Sequence, residues 1–385
     1  MNYKMVLFTM GRVVLLEAAL LVLPMAVSLL YGEKCALSFA LTILVALAVG
    51  FLLTKLCRGE HGSSSIKDGF MIVALTWIML SAIGALPFVF SREIPLYVDA
   101  FFETVSGFTT TCATILPDVE ALSRGMLFWR SFTHWIGGMG ILVFVVMLLK
   151  TPDRSINILK AEMPGPTMDK LAPKSKDTAR ILYLLYMALT VLEIVFLLLG
   201  GMSLFDSMVH ALSTAGTGGF GAYNASAANF SPYIQWVLTA FMFLFGVNFN
   251  AYFLLLMRRF RRAAASEEVR AYFVIIGVAV VIITANIYSM YNGLGEALRH
   301  AAFQVGSIIT TTGFSSCDFD LWPTLSKEVL VVLMFIGACA GSTGGGIKVS
   351  RILILGKTLG KELKTALHPQ VVAPARMDGC LTYAS

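Results

Sequence analysis

The chain has 385 residues, 57% of them hydrophobic and 14% charged, with a mean hydropathy of +0.78. Soluble domains carry roughly 25% charged residues, so this composition excludes an ordinary soluble fold and points to a bilayer. The net charge of +6 does not indicate nucleic-acid binding, because threading the apolar runs through a membrane gathers the basic residues on one side, where they set orientation.

Those residues are Lys4 and Arg12, then Lys55, Arg58 and Lys67, the series from Lys150 to Arg180, the cluster from Arg258 to Arg262 with Arg270, and the tail from Lys348 to Lys364. By the positive-inside bias that side is the cytoplasm, the N-terminus included, of a multi-pass plasma-membrane protein surrounded by lipid. Residues 13–31 and Cys35–Leu56 predict an uncleaved helical hairpin within residues 1–67, since the first run is long for a signal peptide and a second follows at once. Six cysteines show no paired spacing, which supports neither a disulfide framework nor a zinc site.

Residues 68–150 read as a first pore unit. A crossing helix over 69–90 is followed by residues 96–108, too short to span about 30 Å of hydrocarbon, so this segment should enter the membrane and stop. Its C-terminal end would then present partial negative charge at the bilayer centre and favour a cation there. Thr109, Thr110, Thr111 and Cys112 follow, and a return helix is expected over 126–150. In that helix Gly137, Gly138 and Gly140 permit close packing. Glu103 either holds the loop through backbone amides or sits as an interfacial carboxylate, and His134, alone beside tryptophans, reads as structural.

Residues 151–178 predict a cytoplasmic loop, and 179–262 a second unit of the same form. It crosses over 179–201, dips over 204–213, presents Ala215, Gly216, Thr217 and Gly218, and returns in one helix over 233–257. Asn248 and Asn250 in that helix should face the pore or neighbouring helices. The third unit, 263–362, crosses over 272–291, dips over 294–309, presents Thr310, Thr311, Thr312 and Gly313, and returns from Glu328. Residues 363–385 form a tail.

Ser-Ile-Ile-Thr-Thr-Thr-Gly alone could be an ordinary turn, but its recurrence, aligned on Thr111, Thr217 and Thr312, dictates the architecture. The pattern predicts an all-α membrane protein: an N-terminal hairpin plus repeated helix, pore loop and helix units around a pore. The threonine and glycine carbonyls would replace the water shell of a monovalent cation. The third return helix is interrupted by Gly341, Ser342, Thr343, Gly344, Gly345, Gly346 and Lys348. Irregular backbone at membrane depth survives where it is buried in protein or lines a cavity, so this stretch reads as a gate loop. A phosphate-binding GxxxxGK[ST] loop fails, because Ile347 separates Gly346 from Lys348 and Val349 stands where Ser or Thr is required. An intramembrane enzyme lacks its constellation: His134, His210 and His300 are isolated, and no cofactor motif is present.

These segments resemble the Trk/Ktr/HKT superfamily of potassium transporters, and within it the bacterial TrkH-like membrane subunits. The most specific pieces are residues 106–111, 129–140, 213–220, 310–314 and 337–348. The resemblance implies four units around one pseudo-fourfold pore in the bacterial inner membrane, K+ as the transported ion at a filter with one glycine from each unit, and an intramembrane gate loop in the third. It also implies a homodimer bound to a cytoplasmic nucleotide-binding regulatory subunit of the TrkA type. Two departures stand out. Cys112 occupies the place of the first filter glycine, which puts selectivity for potassium over sodium in question. Three of the four expected units are present, residues 377–385 making no membrane helix. The expectation is therefore potassium uptake across the plasma membrane through the carbonyl-lined filter and its gate loop, by a chain that is C-terminally incomplete, with a non-conducting truncated relative that only binds partners or dimerises as the alternative.

Overall fold

The computed structural model describes residues 3–57, 66–138, 140, 175–367, 376–377 and 380–381. They divide into two compact units, Met1–Ser226 and Ala227–Ser385. Apart from a pair of two-residue strands, Arg376–Met377 with Cys380–Leu381, the named elements are helical, which satisfies the all-α expectation.

In the first unit α1 (Tyr3–Leu20) and α2 (Val22–Leu30) form one apolar span broken at Leu21. Pro24 lacks the amide proton that would continue the ladder, which accounts for the break. The helix begins well before residue 13, because Tyr3 to Arg12 is itself apolar on the face that packs inward: Met5, Val6 and Met10 are buried. α3 (Cys35–Leu56) returns against α1. The two cross at glycines: a Cβ on Gly50 would lie 3.1 Å from the Gly11 carbonyl oxygen, a backbone approach that small residues permit.

α4 (Ile66–Gly84) and α5 (Leu86–Ser91) make a 25-residue apolar span, Lys67–Ser91. The short helix α6 (Tyr97–Phe108) follows, then α7 (Arg124–Gly138). At 12 residues and 1.5 Å per residue, α6 is about 18 Å long, shorter than the hydrocarbon core. α8 (Ser175–Leu199) crosses again, starting a little before the expected residue 179. The short helix α9 (Leu204–Ala215) is capped by Ser203, whose hydroxyl accepts from the Asp206 N–H at 3.1 Å. The expected second half of the first return helix and residues 151–174 of the cytoplasmic loop lie outside the described residues.

In the second unit the expected single helix over 233–257 is two helices, α10 (Pro232–Phe245) and α11 (Phe249–Leu256), bent by 89°. The cause is local: Asn248 caps α11, its side-chain oxygen accepting from the Asn250 N–H at 2.9 Å. Asn248 is thus a helix start rather than a mid-helix amide. α12 (Phe260–Ala264) leads to the full crossing helix α13 (Glu267–Ile287), the short α14 (Leu294–Ile309), α15 (Thr324–Phe335) and α16 (Val349–Leu367). Tyr272, Ile283 and Ile287 of α13 pack with Ala301, Val305 and Ile309 of α14 and Leu330 and Leu333 of α15 in one apolar core.

Among the described residues five helices are long and apolar enough to cross a membrane, or six if the bent pair counts as one span. Glu17 of α1 is 1% exposed, and neither of its carboxyl oxygens has a hydrogen-bond partner among the described residues. Replacing it by Met removes an unpaired buried polar group and should raise stability by about 1–3 kcal/mol. Thermal unfolding in detergent checks this, a lower midpoint showing that Glu17 has a polar partner instead.

Candidate functional site

The three short helices end alike. After α6, Thr109, Thr110 and Thr111 donate their N–H groups to the carbonyls of Val105, Gly107 and Ser106. After α9, Gly216, Thr217 and Gly218 donate to Leu212, Thr214 and Ser213, and after α14, Thr310, Thr311 and Thr312 donate to Gly306, Ile308 and Ser307. The backbone then alternates: φ is +54° at Thr110 and +66° at Cys112, +52° at Thr217 and +76° at Gly219, +58° at Thr311 and +90° at Gly313.

This pattern corrects the register of the second copy. Gly218, not Thr217, is equivalent to Thr111 and Thr312; Ala215 is the last residue of α9, and the segment is Gly216–Gly219. The sequence misleads there because two glycines replace two threonines. In the outer copies Thr109 shares a hydroxyl hydrogen bond with Thr111 at 2.8 Å, and Thr310 with Thr312 at 2.7 Å. Gly216 and Gly218 cannot carry that bond.

The reason lies on α7. A Cβ on Gly216 would meet the His134 carbonyl oxygen at 2.2 Å, and one on Gly218 the His134 ring at 2.2 Å. One turn further on, a Cβ on Gly137 would lie 2.1 Å from the Phe108 carbonyl oxygen and one on Gly138 2.6 Å from the Gly216 Cα. Arg130, His134, Gly137 and Gly138 share a helix face by their spacing, and that face backs both the 109–112 and the 216–219 segments. His134 is fully buried, and its ring stacks on Phe220 with centroids 4.1 Å apart. The Arg130 guanidinium lies 4.1 Å from the centroid of the same Phe220 ring.

Arg130 also makes a buried ion pair with Glu103 of α6 at 2.7 Å. Glu103 in turn accepts from the Thr114 hydroxyl at 3.0 Å and the Ile115 N–H at 3.1 Å, so the amide-holding role is the one observed. Arg130 was not singled out from sequence, although an arginine in an apolar helix opposite a carboxylate on a pore helix is a readable signal. Outside the membrane Asn224 joins the two outer loops: it accepts from the Val119 N–H at 2.8 Å and donates to Asp118 at 2.7 Å. That amide hydrogen bond holds the Asp118 carboxyl below its ordinary range.

In the second unit residues 341–348 close a loop whose base is a parallel bridge between Ile336 and Ile347. Gly341 and Gly346 both have φ of +71°. The loop fills the break between α10 and α11, where Cys339 donates to the Gly246 carbonyl and Phe249 to the Gly341 carbonyl, each at 3.0 Å. Thr343 donates to the Phe245 carbonyl at 3.3 Å, Ser342 to that of Cys339 at 2.6 Å, and the Lys348 ammonium to that of Gly344. The tip reaches Thr311: the Gly345 N–H donates to its hydroxyl at 2.7 Å, while that hydroxyl donates to the Thr310 carbonyl at 2.6 Å. Among the described residues no group of His, Cys, Asp and Glu could hold a metal ion.

Residues 36–381 match the family TrkH: Cation transport protein. The chain is 38% identical over 97% of its length to the Trk system potassium uptake protein TrkH of Salmonella typhimurium, covering 78% of that protein. It is 33% identical over 98% of its length to the Trk system potassium uptake protein TrkG of Escherichia coli, covering 79% of it. The crystal structure of the potassium transporter TrkH from Vibrio parahaemolyticus superposes with a TM-score of 0.88 at 32% identity, over 99% of this chain and 80% of that one.

Gly218→Ala should cost about 1–3 kcal/mol, because the fully buried His134 ring has nowhere to move. Glu103→Gln and Arg130→Met should each cost about 3–5 kcal/mol, and the double variant less than their sum, since a lone buried charge is worse than none. Thermal unfolding of the three variants as a double-mutant cycle measures that coupling.

Proposed function

The chain belongs to the TrkH family of cation transport proteins, and from that premise we propose that it takes up potassium through a path lined by the backbone carbonyls of residues 109–112, 216–219 and 310–313. Family membership makes it a multi-pass protein of the bacterial inner membrane and not an enzyme. The relatives above are named as potassium uptake proteins, and the observation that supports the same cargo here is the shared backbone. Three segments repeat one hydrogen-bond pattern and one alternation of φ, and backbone carbonyls repeated in this way are groups suited to dehydrating a monovalent cation.

Potassium would enter from the outer side, driven by about 2.3 kcal/mol per elementary charge for each 100 mV of membrane potential. The glycine-rich loop is the gate on this reading. Its tip bonds to Thr311, so movement of the loop and the geometry of the third segment are coupled through one hydroxyl. The N-terminus faces the cytoplasm, where a nucleotide-binding regulatory subunit acts on a homodimer of the transport chain.

Cys112 holds φ at +66°, a conformation that costs a residue with a Cβ about 1–2 kcal/mol. Cys112→Gly should relieve that cost and raise the ratio of rubidium to sodium uptake, measured as tracer flux. Gly313→Ser imposes the same penalty where φ is +90° and should lower rubidium uptake about tenfold in a potassium-uptake-deficient bacterium expressing this chain. Rescue of growth by the chain that survives Gly313→Ser unchanged would overturn the carbonyl path, and an absence of rescue would favour a non-conducting relative.

A further inference from the structure

The glycine-rich loop has few side chains with which to fix its own position, yet it rests in one place. Its tip bonds to Thr311, and its two ends converge on a single carboxylate. Glu268 is 4% exposed, and its Oε1 accepts from the Ala340 N–H at 2.6 Å and from the Ser350 N–H at 3.2 Å. These donors lie on either side of the glycines. The second oxygen is 3.5 Å from the Asn248 amide nitrogen, at the break between α10 and α11 that the loop fills. Glu268 stands in the first turn of α13, a crossing helix of 21 residues, so its backbone is held by that helix's own hydrogen bonds and not by the loop.

We propose that Glu268 is a positioning residue that sets where the glycine-rich loop rests, by holding both of its ends with one oxygen. A charged acceptor suits this role, because an N–H donating to a carboxylate makes a stronger and shorter bond than one donating to a neutral carbonyl. A backbone with several glycines otherwise samples many conformations at little cost. Loss of the carboxylate leaves the tip contact at Thr311, the Thr343 bond to Phe245, the bridge between Ile336 and Ile347 and the two backbone bonds at the α10–α11 break, so the loop loosens without the fold coming apart. The consequence for transport rests on reading the loop as a gate; the consequence for the loop does not.

The test uses the full chain in lipid nanodiscs and proteoliposomes with Glu268→Gln, Glu268→Ala and, as a control, Glu267→Gln. Glu267 pairs with Lys357 of α16. Amide hydrogen exchange over residues 337–350 is measured beside rubidium flux at a fixed gradient. Exchange in the loop should rise about tenfold in Glu268→Ala and by less in Glu268→Gln, which keeps a neutral acceptor of the same shape. Peptides from α13 and α14 and the control variant should stay at wild type, and rubidium flux should rise in the same order. Wild-type loop exchange in Glu268→Ala overturns the proposal. A rise spread evenly along the chain overturns it as well, because Glu268 would then hold the fold and not the loop. Loop exchange that follows the series while flux stays constant upholds the positioning role and sinks the gate reading.

Discussion

Backbone amides and carbonyls at membrane depth have no water to turn to, so each helix that stops inside the bilayer must hand its polar groups to other protein. This chain stops helices repeatedly, and the described structure shows where the groups go. In the second unit the broken ends of α10 and α11 are met by Cys339 and Gly341 of the glycine-rich loop, so two irregular segments satisfy each other. In the first unit the loop after α6 is met by Glu103, which takes the Ile115 amide and the Thr114 hydroxyl. In these two places the interruption of regular structure is matched by another irregular segment or by a buried side chain.

The two units solve the support of their candidate carbonyl segments differently. In the first, one face of α7 backs both segments through glycine contacts, a histidine ring and a buried ion pair. Such a wall is close-packed and has little room to shift. A buried ion pair is weak evidence of stability, because desolvation cancels much of the attraction. Its value here lies in geometry: the arginine that pairs with Glu103 also lies over Phe220, so one guanidinium fixes the flanks of both segments.

In the second unit the 310–313 segment packs against the end of α10, where a Cβ on Gly246 would lie 2.9 Å from the Thr310 Cγ2, and also meets the tip of a loop held by hydrogen bonds. A hydrogen bond can be exchanged for another at small net cost where a second protein partner is at hand, whereas close-packed side chains move only with their neighbours. The contrast between a packed wall and a bonded loop gives the proposed gate a physical basis. It also explains the content of the loop: a Cβ on Gly344 would lie 3.0 Å from the Thr310 carbonyl oxygen and one on Gly345 3.1 Å from the Thr311 hydroxyl, so larger residues would hold the tip away from both.

Apolar run length, the placement of basic residues and the threefold recurrence of a threonine and glycine segment were determined by the sequence alone. So were the short helices, Leu294–Ile309 being read to its ends, since length against bilayer thickness is a one-dimensional property. The register of the second segment was not, because glycine at 216 and 218 answers to the His134 ring and backbone, which approach from another part of the chain. Nor was the bend at Asn248, where a cap competes with an apolar run that reads as continuous. The partners of Glu103, Arg130 and Glu268 were likewise decided by tertiary structure, since the partner of a buried charge is set by which helices pack together, and sequence distance carries no record of that.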